Sequence, residues 1–301
     1  LPIFGVVSVR VVGVMGGERF GRHDRWYDRT VPDDSDIIPI AEEASVPKPV
    51  LPGGGVVVRP TLDDALDALC ADLLIHARGC VRAFGDFHLA ASGEAMLEPV
   101  LARLMYDPAM REFPWARTHL WMTWDRPACD AGPAFSEIVR ELLAVPSDIP
   151  REQFHPFRFD VADPAADYEG TMREHLGWRE KGHDRPDYAL FSLDPRGLMC
   201  KPPPPAEQGR LVQTIQTDAG PGVCLSAATL SAARLIAVVG HGQAAAGPLG
   251  EITESWRSLR SPTISPDAAR PAPLAVRLRP FAGEVRWYLD HASAVPKRGT
   301  H

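Results

Sequence analysis

The sequence predicts an α/β fold: an open, mainly parallel sheet with helices on both faces, preceded by an extended amino-terminal arm over residues 1–55 and followed by a short tail at 296–301. Two observations predict it. Short apolar or β-branched runs alternate with segments of helical period over residues 56–295, the pattern of βαβ units whose right-handed crossovers bring the strand-end loops to one side. A hydrophobic content of 45% in 301 residues is enough for one sizeable core. No internal repeat of solenoid length points to another architecture.

The arm differs in character from the rest. It holds a β-branched run at 6–14, a charged aromatic patch around Arg22, Arg25, Trp26 and Tyr27, an acidic turn at 33–36 and a Pro-Gly-rich stretch at 47–55. Such a segment gains little by packing on itself and lies extended across another surface. Val56 to Arg59 then form a strand. Thr61, with Asp63 and Asp64, provides an N-cap and an acidic first turn for an amphipathic helix reaching about Arg78. Residues 87–91 form a second strand, which turns at Ser92-Gly93 into a helix over 97–105. Residues 119–124 form a third strand and 135–144 another helix. Strands at 188–193, 222–227 and 236–240, a short helix at 230–235 and a closing strand at 285–290 complete the sheet. The proline-rich stretches at 201–205 and 261–273 cannot be central strands or helix interiors and are assigned to surface loops.

Thirty-two basic and 39 acidic side chains leave a net charge of -7, so no nucleic acid is expected as a partner. Five scattered cysteines (Cys70, Cys80, Cys129, Cys200, Cys224) with no CxxC pair argue for a reducing compartment. No uncharged apolar run is long enough to span a bilayer. The chain begins at Leu1 and not at a methionine, which fits removal of a targeting peptide and equally a sequence trimmed at its start, and a mitochondrial setting is expected ahead of a cytoplasmic one.

Five features then stand in a telling order: Ser92-Gly93 after a strand, Trp124-Asp125-Arg126 after the next, the segment 187–200, Ala232-Ala233-Arg234 with Gly240-x-Gly242, and the terminal run 285–292. Together they resemble the 6-phosphogluconolactonases and, more distantly, the glucosamine-6-phosphate deaminases. The resemblance spans residues 56–294 and implies an open Rossmann-like sheet. It also implies where the family's chemistry sits, and there this chain departs from the pattern. The family's phosphate loop, Ser-Gly-Gly-Ser, is Ser92-Gly93-Glu94-Ala95 here. A carboxylate thus replaces a glycine that lets backbone amides close on an anion, and the loop is expected to repel its usual ligand. The Asp-Glu-Arg signature falls on Trp124-Asp125-Arg126, or with a one-residue slip on Asp125-Arg126-Pro127, and loses an acidic position either way. The stretch Gly-x-Gly-x-Asp-Gly-His becomes Ser192-Leu193-Asp194-Pro195-Arg196-Gly197-Leu198. The resemblance makes that histidine the general base for water attack on a lactone carbonyl. Leu198 carries no titrating group, and Arg196 inverts the charge of the aspartate. A phosphate-binding arginine and lysine of the family fall on Gly222 and Gln243.

The remaining polar residues are read conservatively. His183, Asp184 and His241 are taken as solvated loop residues, and Asp125 with Arg126 as a structural ion pair at the mouth of the old site. His155, His175 and His183 lack the close spacing of a helical zinc site, so no metal is expected, nor any cofactor. Trp121 is assigned to the core. Trp124, with Arg22, Arg25, Trp26 and Tyr27, is a candidate interface anchor, since tryptophan is enriched at binding hot spots. The expectation is a non-catalytic member of the family whose fold serves as an accessory subunit or interaction module of a larger assembly, with other protein subunits as partners and no small-molecule ligand. The alternatives are a diverged hydrolase using Asp125 or His183, and a non-catalytic sugar-phosphate binder.

Overall fold

Thr61 starts the first helix, α1 (Leu62–Phe84), in the way its neighbours dictate: its hydroxyl accepts the Asp64 N–H while the Asp64 carboxylate accepts the Thr61 N–H. This reciprocal cap satisfies donors that a helix start leaves unpaired. The helix runs past its expected end at Arg78 because Gly79 alone does not stop it. It ends at Gly85, whose φ of 90° is a left-handed conformation open to glycine. The computed structural model describes residues 46, 48–130, 132–179, 185–201, 209–217, 219–260, 272–280 and 283–295, all within the unit Ser45–His301. Arg22, Arg25, Trp26, Tyr27, His183, Asp184, most of both proline-rich stretches and the tail at 296–301 lie outside the described residues.

The described strands are β1 (Gly55–Arg59), β2 (Phe87–Ala91), β3 (Thr118–Met122), β4 (Trp124–Asp125), β5 (Phe154–His155), β6 (Tyr188–Ser192), β7 (Val212–Thr217), β8 (Gly220–Leu225), β9 (Leu235–Gly240) and β10 (Glu284–Asp290). Seven of them form a parallel sheet in the order β1-β10-β9-β6-β2-β3-β5. Every residue of β2, β6 and β9 is buried, which is why these segments read as unbroken apolar runs and not as alternating ones. Around the sheet lie α2 (Glu98–Tyr106), α3 (Phe135–Val139, continued by a wider turn over Arg140–Ala144), α4 (Pro164–Leu176), α5 (Ala227–Ala232), α6 (Gly242–Arg260), α7 (Leu274–Arg277) and α8 (His291–Ala294).

The parallel sheet expected from the sequence is present, with several differences. The strand expected at 222–227 is β8, and it does not join the main sheet. It pairs antiparallel with β7 and β4 in a second, three-stranded sheet, because only a tight turn separates Thr217 from Gly220 and a turn that short permits only a hairpin. The short helix expected at 230–235 lies earlier, over Ala227–Ala232, where Ser226 caps it through the Thr229 N–H. Helices α4 and α6 were not anticipated. The arm's boundary at residue 55 also cuts into packed structure, since Leu51 is buried and the Trp287 indole donates to the Pro52 carbonyl at 2.8 Å.

Candidate functional site

Because neighbouring strands of the main sheet are parallel, their carboxyl ends deliver the segments after β2, β3, β6 and β9 to one edge, where open α/β sheets hold ligands. A cavity of about 280 Å³ lies there, lined among others by Glu94, Trp124, Arg126, Phe135, Arg196 and Lys201. Gly93 and Gly197 also line it. Five of the residues assigned to the degenerate site, Gly93, Glu94, Arg126, Arg196 and Gly197, therefore share one cavity. Sequence reasoning missed Lys201 and Phe135, which carry no motif and enter through the ends of other elements.

Glu94 follows β2 and turns its carboxyl inward. Its Oε1 accepts the Trp124 indole N–H at 2.6 Å and the Leu198 N–H at 3.4 Å, while its Oε2 contacts the Ser192 hydroxyl. The residue is 3% exposed. Burial pushes its carboxyl up to about 7, opposed by the hydrogen bonds from Ser192 and Trp124. At neutral pH it is thus near half protonation. Its carboxyl is seated between Trp124, Ser192 and the Leu198 N–H. Two glycines make room for the arrangement. A Cβ on Gly197 would lie 2.8 Å from Glu94 Oε1, and one on Gly93 would lie 2.4 Å from the Phe135 carbonyl oxygen. Gly93 is therefore required by the close approach of α3.

The other assigned residues have structural partners. Asp125 and Arg126 do not form the expected ion pair. The Asp125 carboxylate instead accepts the N–H of Arg126 at 2.8 Å and caps α3 by accepting the N–H groups of Phe135 and Ser136 at 2.7 and 3.0 Å. Arg126 faces the Pro127 and Gly132 carbonyls and the Cys129 sulfur, with its guanidinium over the Phe135 ring. Trp124 is no surface anchor, being 5% exposed and bonded to Glu94. Trp121 is fully buried, as expected. Leu198 is buried in the core, and Ser92 is fully buried with no partner for its hydroxyl among the described residues. Arg196 is exposed and near Asp194. Gln243 donates to the Ala292 carbonyl at 2.9 Å and His241 lies 3.2 Å from the Met96 carbonyl, so neither lines the cavity. At Gly222, a Cβ would lie 2.7 Å from the Asp125 carbonyl oxygen, leaving no room for the family's arginine.

Two clusters lie toward the amino-terminal ends of the strands. Asp187, just before β6, accepts from the Arg179 and Arg234 guanidinium groups and from the His88 N–H, and Arg179 also pairs with Asp86. Beside it, the fold brings together His119, His155 and His175, which the sequence separates too widely to suggest a metal site. Burial first, and the neighbouring charges second, pull the His119 imidazole down to about 4 and the His155 imidazole down to about 2.

A family model described as glucosamine-6-phosphate isomerases/6-phosphogluconolactonase matches residues 60–272. The chain is 35% identical over 96 residues to the human GDH/6PGL endoplasmic bifunctional protein, a match covering 31% of this chain but only 12% of that protein. Among solved structures, 6-phosphogluconolactonase from Thermotoga maritima superposes with a TM-score of 0.61 at 15% identity, over 78% of this chain and 99% of that one. The 6-phosphogluconolactonase from Trypanosoma cruzi gives 0.61 at 18% identity, over 80% and 95%. These likenesses agree on the fold, and the family match extends over most of the chain. The chain belongs to the glucosamine-6-phosphate isomerase/6-phosphogluconolactonase family.

Proposed function

We propose that this chain is a non-catalytic member of its family, a 6-phosphogluconolactonase-like module that works through protein partners in a larger assembly, with a mitochondrial setting favoured. The observation that carries this reading is the seating of Glu94. Its carboxyl bonds to Trp124, Ser192 and the Leu198 N–H, so the chain's own side chain occupies the loop where the family binds an anion. Leu198, at the position of the expected general base, is buried and points no titrating group at the cavity. Asp125 supports the reading too, since its carboxylate is taken up by the N–H of its neighbour Arg126 and by the first two N–H groups of α3. The test is hydrolysis of 6-phosphogluconolactone by the purified chain, with gentle co-purification from its native source in parallel. The expected result is no rate above the spontaneous one and recovery within a larger complex. Hydrolysis at enzymatic rates would sink the proposal.

A second reading is favoured by one specific observation: a buried carboxyl raised to about 7 beside a cavity that also holds Arg126, Arg196 and Lys201. That is the kind of group that exchanges protons near neutrality. In a diverged hydrolase it would stand in for the lost histidine, and Arg126 and Lys201 would replace the lost phosphate-binding cations. Lactone hydrolysis that disappears in E94Q would support this reading over the first.

A further inference from the structure

Residues facing each other across β2, β3 and β5 place a row of aromatic nitrogen heterocycles on one face of the sheet. His88 lies opposite His119, and Trp121 opposite His155. His119 and Trp121 are two apart and so project to the same side. The four rings stack with interplanar angles of 5° to 18°. Helix α4 lies against this face. Its Tyr168 hydroxyl accepts the Met122 N–H at 2.8 Å and donates to the His155 carbonyl at 3.1 Å, fixing the helix against β3 and β5. The last turn of α4 then sets the His175 ring 4.6 Å from that of His155 and 5.5 Å from that of His119, centroid to centroid.

The histidines differ in how their nitrogens are engaged. His88 is fully committed, with Nδ1 accepting the Trp121 indole N–H at 2.9 Å and Nε2 lying 3.3 Å from Asp86. His119 Nδ1 and His155 Nε2 face each other at 3.0 Å. Among the described residues, neither ring nitrogen of His175 has a hydrogen-bond partner. One nitrogen from each of His119, His155 and His175 lies within 4.8 Å of the others. Imidazoles sharing a tetrahedral zinc at about 2.0–2.1 Å stand about 3.3 Å apart, so ring shifts on the order of 1 Å close the triad. His155 is buried, while His119 and His175 stay partly exposed, which leaves a side open for a fourth, solvent ligand.

We propose that His119, His155 and His175 bind a divalent transition metal ion of the zinc class, pinning α4 to the two-residue edge strand β5 at the end of the strands away from the cavity. Three imidazoles with no carboxylate suit zinc, copper or nickel and not magnesium or calcium, which require oxygen ligands.

The experiment is a zinc titration of the untagged, chelator-stripped chain against a chromophoric competitor, paired with cobalt(II) absorption spectroscopy. The expected result is one equivalent of tightly held zinc, a cobalt spectrum of tetrahedral intensity and a melting temperature raised by zinc. H175Q and H119Q each should weaken zinc by more than about 10-fold, the lower bound set by losing even an outer partner of a metal ligand, while H241Q leaves it unchanged. H175Q alters a partly exposed helix position, so its zinc-free circular dichroism should match wild type and tie any loss to the ligand. Absence of stoichiometric zinc binding in wild type, or wild-type affinity in H175Q, overturns the proposal.

Discussion

Trp124 donates its indole N–H to Glu94 at 2.6 Å, joining β4 to the segment after β2 in the wall of the cavity. The bond ties the one strongly shifted carboxyl of the crevice to a tryptophan that sequence reasoning had placed at an interface. Because that carboxyl is raised from 4.5 to about 7, the folded state holds its proton over a pH range in which the unfolded state has released it. Its contribution to stability is therefore present in full below about pH 4.5, falls as pH rises toward 7 and is absent above. In E94Q the neutral form is fixed. The difference in unfolding free energy between wild type and E94Q should fall by about 3 kcal/mol between acid and mildly alkaline pH. Urea unfolding at a series of pH values measures it, and a flat difference would contradict the assignment.

Gly93 is held by backbone on the facing side, where a Cβ would meet the Phe135 carbonyl oxygen at 2.4 Å and Phe135 Cα at 2.9 Å. Neither atom can swing aside as a flexible side chain would. Gly93→Ala should destabilise the fold by about 1–3 kcal/mol, read from thermal unfolding, and should loosen α3 as judged by faster amide exchange at Phe135 and Ser136.

Asp187 joins two guanidinium groups, and the Arg179 side chain is 1% exposed. Asp187→Ala takes from the buried Arg179 one of its two carboxylate partners, leaving Asp86, and should cost about 3 kcal/mol. Arg196→Ala, at an exposed side chain, should stay within about 0.5 kcal/mol. Denaturant midpoints of the two variants give the comparison.

Cys129 is exposed, whereas burial pushes the thiols of Cys70, Cys80, Cys200 and Cys224 up to about 12. The thiolate is the reacting form. A brief treatment of the native chain with a maleimide should label Cys129 first, and the other four should follow only on unfolding. Peptide mass mapping identifies the modified sites.

The parallel sheet was legible because β2, β6 and β9 are buried along their whole length and so appear as apolar runs. Helix α4 had a readable start, Asp163 before Pro164, with the Asp163 carboxylate accepting the Ala166 N–H. Its face is sparsely apolar, so the periodicity that marks other helices was weak. Helix α6 was masked by Gly247-Pro248, a pair that reads as a break although Pro248 is carried inside the helix. The departures from the family's pattern that the resemblance implies could be read residue by residue. The inward turn of Glu94 could not, because it depends on Ser192 and Leu198, which are near it only after folding. The same holds for the histidines, whose shared corner is created by strand register and by one helix end.

In the sheet order, β10 sits between β1 and β9, and the Trp287 indole of β10 also reaches back to Pro52. The residues matched to the family, 60–272, contain neither β1 nor β10. On the ribosome, β1 emerges first of the described strands, and β10, its only neighbour among them, emerges last. Until then β1 and β9 both present unpaired edges, the surface by which nascent chains aggregate. A fragment cut to the matched residues would keep the β9 edge permanently open, so the family's boundary is no guide to where this protein can be shortened.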